Sequence, residues 1–236
     1  MTMEHTLQSC HLGDYRRAWI HRTEGAGIRD CLLFLDGELY RDRVKAPAIL
    51  EDASRTKQLP PVHAVFISSV SAKDRQINYI CHPAYAAFVA DEVPAWIRQQ
   101  GLSFDRLYLC GLSLSGLQAL FTSQTRPGVF DGVLSQSPSA WWNDEWLASS
   151  LHTLPSRLPR TWISVGLRER DADVRHPPTD LHQKTSQLES VRRLVEKLRL
   201  QDVPVQTHEY DGGHDCACWG EEMVAALAWL LQSGES

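Results

Sequence analysis

A chain of 236 residues, 43% hydrophobic and 22% charged, has the size and composition of one compact domain, burying roughly 70–75% of its unfolded surface. A net charge of −5 argues against the basic face that general nucleic-acid binding needs, and no run reaches the roughly 20 apolar residues of a membrane span. The first 14 residues are polar and lack the apolar core of a signal peptide, so the expectation is one cytoplasmic domain over 1–236, with no membrane insertion.

Apolar runs alternate with helical patterns along the chain. Residues 16–21 and 31–35 read as an early strand pair joined by the turn-rich Thr23-Glu24-Gly25-Ala26-Gly27. A helix follows over 47–58, then a nearly continuous apolar strand over 62–70 and an amphipathic helix over 83–100, ended by Gly101. Next come a strand at 106–110, a helix at 115–125, a strand at 132–135 and a tryptophan-rich stretch to Arg160. The last third gives a strand at 161–166 and a helix at 179–200 with Leu188, Val191, Leu194, Val195 and Leu198 on one face. A strand at 203–210 and a helix at 217–231 close the chain. Strands separated by helices of this length imply an α/β fold with a mostly parallel central sheet covered on both faces.

Six cysteines do not form a disulfide pattern: Cys31 and Cys110 lie in strands, and Cys10 and Cys81 lie near a terminus and in a loop. Cys216 and Cys218 flank one alanine beside His214, a spacing that fits zinc poorly, so no metal and no cofactor are expected.

In sheets of this kind, functional groups gather at the carboxyl ends of the strands. One such end is Gly111-Leu112-Ser113-Leu114-Ser115, where an apolar strand breaks at small residues and resumes as a helix. A serine at the apex of a strand–turn–helix junction is exposed above the sheet as a nucleophile. It needs a base, and the base needs a third group to orient it. The chain order serine, acid, histidine is met by Ser113, the acidic run Glu169, Asp171, Asp173 after the strand at 161–166, and His214 in Asp211-Gly212-Gly213-His214. His63, His82, His152, His176, His182 and His208 lack such a glycine turn. Glu169 is the first candidate acid and Asp171 its rival, Asp215 is a candidate helix cap, and a serine–histidine dyad is the remaining alternative. For the oxyanion hole, the amide of Leu114 and the amide of Glu38, in the turn Asp36-Gly37-Glu38, are the candidate donors.

These segments resemble the esterase family of the α/β-hydrolases, and within it the enterochelin (ferric enterobactin) esterases. The likeness is carried by Leu32-Leu33-Phe34-Leu35-Asp36-Gly37-Glu38, by Gly111-Leu112-Ser113-Leu114-Ser115-Gly116-Leu117, by Gly166-Leu167-Arg168-Glu169, and above all by Asp211-Gly212-Gly213-His214-Asp215 with Cys218-Trp219. Two departures stand out. Ser115 replaces a family glycine, and only about 30 residues precede the first of these segments, where bacterial members carry a separate substrate-covering domain.

The resemblance implies a serine esterase whose small-molecule substrate is a catecholate siderophore triester, cleaved in the cytoplasm so that its iron is released. Arg75, Arg168 and Arg170, with Trp141 and Trp142, follow strand ends and are candidate contacts for an anionic, aromatic substrate. The competing readings are arginines that are merely solvated, the commoner state of arginine, and tryptophans that pack the core. The alternatives are a general short-chain carboxylesterase or thioesterase, like the S-formylglutathione hydrolases, and a non-catalytic binding protein on the same fold.

Overall fold

The computed structural model describes residues 3–150 and 158–232; part of the tryptophan-rich stretch, 151–157, lies outside the described residues. The strands are β1 (Met3–Ser9), β2 (Asp14–Arg22), β3 (Asp30–Phe34), β4 (Val62–Ile67), β5 (Arg106–Leu112), β6 (Gly132–Gln136), β7 (Arg160–Gly166), the short β8 (Val174–Arg175) and β9 (His182–Gln183), and β10 (Val205–Tyr210). The helices are α1 (Ala46–Arg55), α2 (Ala72–Asn78), α3 (Pro83–Ala87), α4 (Val93–Gln99), α5 (Ser113–Thr125), α6 (Trp142–Ser150), α7 (Gln187–Arg199) and α8 (Cys216–Leu231). Among the described residues no helix is long and apolar enough to cross a membrane.

Eight strands form one sheet in the order β1-β2-β4-β3-β5-β6-β7-β10. From β4 to β10 every pairing is parallel, while β1 and β2 add an antiparallel edge. This is the α/β-hydrolase arrangement, and its strands alternate sides in the expected way. Leu33 belongs to the core layer that takes in α3, α4, α5 and α7, whereas Leu32 and Phe34 belong to the layer with α1 and α8 on the other face.

The expected pairing of the first two apolar strands is corrected. β4 lies between them, antiparallel to β2 (Ala18 opposite Ile67) and parallel to β3 (Leu33 opposite Val65). All five residues of β3 are buried, so it needs neighbours on both edges and takes β4 and β5. Edge strand β1 went unread because its sequence is polar; it buries only Leu7 and Ser9. The helix expected from residue 179 starts at Gln187. Its true start signal is Ser186, whose hydroxyl accepts from the Glu189 amide at 3.2 Å, and the residues before it form the β8–β9 hairpin.

Candidate active site

Ser113 is the first residue of α5, directly after β5, and its φ of 55° lies in the left-handed region that a non-glycine residue occupies only under constraint. The constraint is visible in its neighbours. A Cβ on Gly111 would run into the carbonyl of Ser115, so that position takes only glycine. Ser115, in place of the family glycine, is fully buried and locks the turn: its hydroxyl accepts from the Leu112 amide at 2.9 Å and donates to the Leu112 carbonyl at 2.8 Å. The departure from the family pattern is thus accommodated by two added hydrogen bonds. Ser113 Oγ lies 3.4 Å from Ser139 Oγ, its one hydrogen-bond neighbour among the described residues. Leu114 sits in the first turn of α5, where backbone N–H groups have no helical acceptor.

His214 follows β10 in the Gly-Gly turn, and its Nδ1 donates to Glu169 Oε2 at 2.6 Å. The Glu169 side chain is 3% exposed. Its other oxygen, Oε1, accepts from the Gly166 amide at 2.7 Å and the Ser137 hydroxyl at 2.7 Å. Burial alone would push this carboxyl up, but the hydrogen bonds from His214, Ser137 and Gly166 outweigh it and hold Glu169 below the usual glutamate value. Gly166 is a glycine because a Cβ there would meet the carbonyl of Gly212 and Oε1 of Glu169. Asp171 is exposed and makes no bond to His214, and Asp215 caps α8 through the amides of Ala217 and Cys218 at 2.9 and 3.0 Å. Of the carboxylates the sequence offered, Glu169 is the one the fold places on the histidine.

Ser113, Leu114, Glu169, Asp171 and His214 line one cavity of about 510 Å³ at the carboxyl ends of the strands. The candidate substrate contacts divide. Arg75 lines the cavity, but its guanidinium is forked onto the buried carboxylate of Asp36. Arg168 lines it too, paired with Asp211 at 3.0 Å. Trp141 lines it and is buried, its Nε1 donating to Gln187 Oε1 at 2.5 Å, with the His176 ring stacked on it at 5.2 Å. Trp142 instead lines a neighbouring cavity of about 350 Å³, beyond Trp141. Arg170 is exposed, outside both linings, and donates to the Leu167 carbonyl. The Glu38 side chain turns away from the cavity to Ser68, Ser69 and Arg17, and its backbone opens the helical run before Leu39.

Among the lining or supporting residues that escaped the sequence reading are Ser137, Ser139, His176 and Gln187. Ser137 and Ser139 sit at the carboxyl end of β6, which the strand-end rule marks as a place to look. His176 and Gln187 reach the cavity from the hairpin and from α7, and nothing local in the sequence marks them.

A family model described as "Putative esterase" matches residues 20–230. The Iron(III) enterobactin esterase of Dickeya dadantii is 26% identical over 235 residues, covering 95% of this chain and 53% of that protein. Its counterpart in Escherichia coli K12 is 28% identical, covering 92% of this chain and 54% of that protein. The crystal structure of the enterobactin esterase from Shigella flexneri in the presence of enterobactin superposes with a TM-score of 0.84 at 25% identity, over 98% of this chain and 59% of that one. This chain therefore spans about half the length of the curated relatives it matches. The family match begins within β2 and takes in the sheet from β3 to β10 with all but the last residue of α8, and so the chain belongs to this esterase family.

Proposed function

We propose that the protein is a serine esterase that cleaves the ester linkages of a catecholate siderophore of the enterobactin type through an acyl-enzyme on Ser113. The observation that carries the reading is the 2.6 Å bond from His214 Nδ1 to the buried Glu169, in the same cavity as a left-handed Ser113. With Nδ1 committed to the carboxylate, Nε2 of His214 is the nitrogen free to take the Ser113 proton as Oγ attacks the ester carbonyl. Glu169, ionised throughout, supports the imidazolium that forms.

The tetrahedral oxyanion rests on the Leu114 amide and, from the turn after β3, on the Glu38 amide. Each such donor is worth roughly a hundred- to thousandfold in rate. His214 then protonates the leaving alkoxide, and water activated by the same ring clears the acyl-enzyme. No cofactor takes part; iron is cargo, freed when the scaffold that arranges its ligands is cut. The substrate assignment leans on the relatives, whose names specify enterobactin. We place the reaction in the cytoplasm, in keeping with six unpaired cysteines.

A second reading, a general short-chain esterase, is favoured by one observation: the two cavity-lining arginines are already paired with carboxylates. Steady-state hydrolysis of enterobactin, its ferric complex and nitrophenyl butyrate separates the two. Higher kcat/KM on the siderophore supports the first; turnover of the simple ester alone overturns it.

A further inference from the structure

Tyr210 ties the acid and the base of the site together, and no part of the proposed chemistry so far uses it. It is the last residue of β10, half-buried, and its hydroxyl has three polar neighbours: Ser137 Oγ at 2.9 Å, Glu169 Oε1 at 3.2 Å and the carbonyl of Gly213 at 3.2 Å. Two of these belong to the machinery on either side of it. Glu169 accepts from His214, and Gly213 is the residue before His214.

The backbone around it repeats the same connection. The parallel β7–β10 ladder runs on past both strand ends, with the Leu167 amide donating to the Tyr210 carbonyl at 2.9 Å and the Arg168 amide to the Gly212 carbonyl at 2.9 Å. The acid-bearing and base-bearing turns are therefore zipped together, and the Tyr210 ring fills the space against Gly212, where a Cβ would meet it at 2.9 Å.

The hydrogens can be assigned by counting donors. Glu169 only accepts, so the short 2.7 Å bond from Ser137 uses the one hydroxyl hydrogen of that serine. Ser137 Oγ in turn accepts from Trp219 Nε1 at 3.2 Å, and the Trp219 and His214 rings stand nearly perpendicular with their centroids 4.9 Å apart. The Tyr210 hydrogen is then shared among the three acceptors in its reach. It stays on the oxygen, because burial, then the Glu169 charge, pushes the phenol well above its ordinary value.

We propose that Tyr210 is a positioning residue for the His214–Glu169 pair: its hydroxyl fixes the histidine turn through Gly213 and shares the load of the Glu169 carboxylate with Ser137. This rests on the esterase reading. Its consequence is geometric: with that donor removed, the histidine turn is held only through its backbone bonds, and the 2.6 Å His214–Glu169 bond is less firmly fixed. Tyr210→Phe changes no charge and keeps the ring against Gly212.

The test is Tyr210→Phe, followed by the low-field NMR signal of the His214 Nδ1 proton, which lies in the 2.6 Å bond to Glu169, and by the rate of fluorophosphonate labelling of Ser113. Expected are a displaced or broadened Nδ1 proton signal and a labelling rate reduced about tenfold, the effect of one hydrogen bond to a charged group. Ser137→Ala should disturb the signal further, having the shorter bond to Glu169. An Nδ1 proton signal in Tyr210→Phe identical to that of the wild type overturns the proposal, whether or not the protein is active. Wild-type protein that shows the signal but never labels would instead overturn the esterase reading.

Discussion

Arg75 grips Asp36 with a fork: Nε lies 2.9 and 3.0 Å from the two carboxylate oxygens and Nη2 lies 2.8 Å from the second. The pair joins α2 to the turn that leaves β3, and Asp36, fully buried with φ of 54°, has its own amide donating to the Tyr79 hydroxyl at 3.0 Å. An arginine so committed is part of the frame of the cavity. Arg75→Met is expected to cost about 3–5 kcal/mol of stability, because it leaves the Asp36 carboxylate buried without its partner. Chemical denaturation measures this; unchanged stability with a raised KM would instead make Arg75 a substrate contact.

The same pairing bears on charge. A ferric tris-catecholate carries three negative charges, whereas the metal-free ester is uncharged near neutral pH, and the protein itself carries −5. With Arg75 and Arg168 neutralised, the cavity offers the trianion no excess of positive charge. The expectation is that kcat/KM for the ferric form rises with added salt as repulsion is screened, while that for the metal-free form stays flat. A ferric-form kcat/KM that falls with salt would reveal a positive field and contradict this.

Ser115 is expected to be worth more than its place in the family pattern suggests. Ser115→Ala strands a buried Leu112 amide and should destabilise by about 1–3 kcal/mol, and Ser115→Gly, though it restores the family residue, should not recover the loss. Thermal melts of the two variants decide; a glycine variant as stable as the wild type would show that the two bonds contribute nothing.

Stability should also carry a histidine signature away from the site. The bond from His208 Nδ1 to the buried Glu222, at 3.0 Å, raises the His208 imidazole against the opposing effect of burial. A raised folded value means the stabilisation is full below the unfolded value of about 6.5 and is lost as pH climbs through the folded one. The Tm gap between wild type and His208→Gln should therefore be widest near pH ~6 and close at higher pH. A gap that widens with pH would have the wrong sign.

Much of the site was legible because its parts are marked by glycines. Gly111 and the Gly212-Gly213 pair announce close backbone approach, and the residues they serve, Ser113 and His214, stand at strand ends. The carboxylate that meets His214 was legible only to within a turn. Glu169 and Asp171 are two positions apart, and what selects Glu169 is the set of donors waiting for it: the Gly166 amide, Ser137 from β6 and Tyr210 from β10. Those contacts are long-range and leave no local trace. Trp141 and Trp142 differ for a similar reason: Trp141 lines both cavities, whereas Trp142 lines only the smaller one. The order of the early strands was hidden too, since pairing depends on which neighbour buries β3 and not on which is nearest in sequence.

The central claim is that Ser113 is an activated nucleophile served by His214 and Glu169, and covalent labelling tests it most directly. Intact-mass measurement after exposure to a fluorophosphonate should show one adduct on the wild type and none on Ser113→Ala. Glu169→Gln should slow labelling by about 10²–10⁴, the effect of misorienting the base, while Asp171→Asn labels as the wild type does. Folded wild-type protein that takes up no label, or an Asp171→Asn variant as slow as Glu169→Gln, would contradict the account.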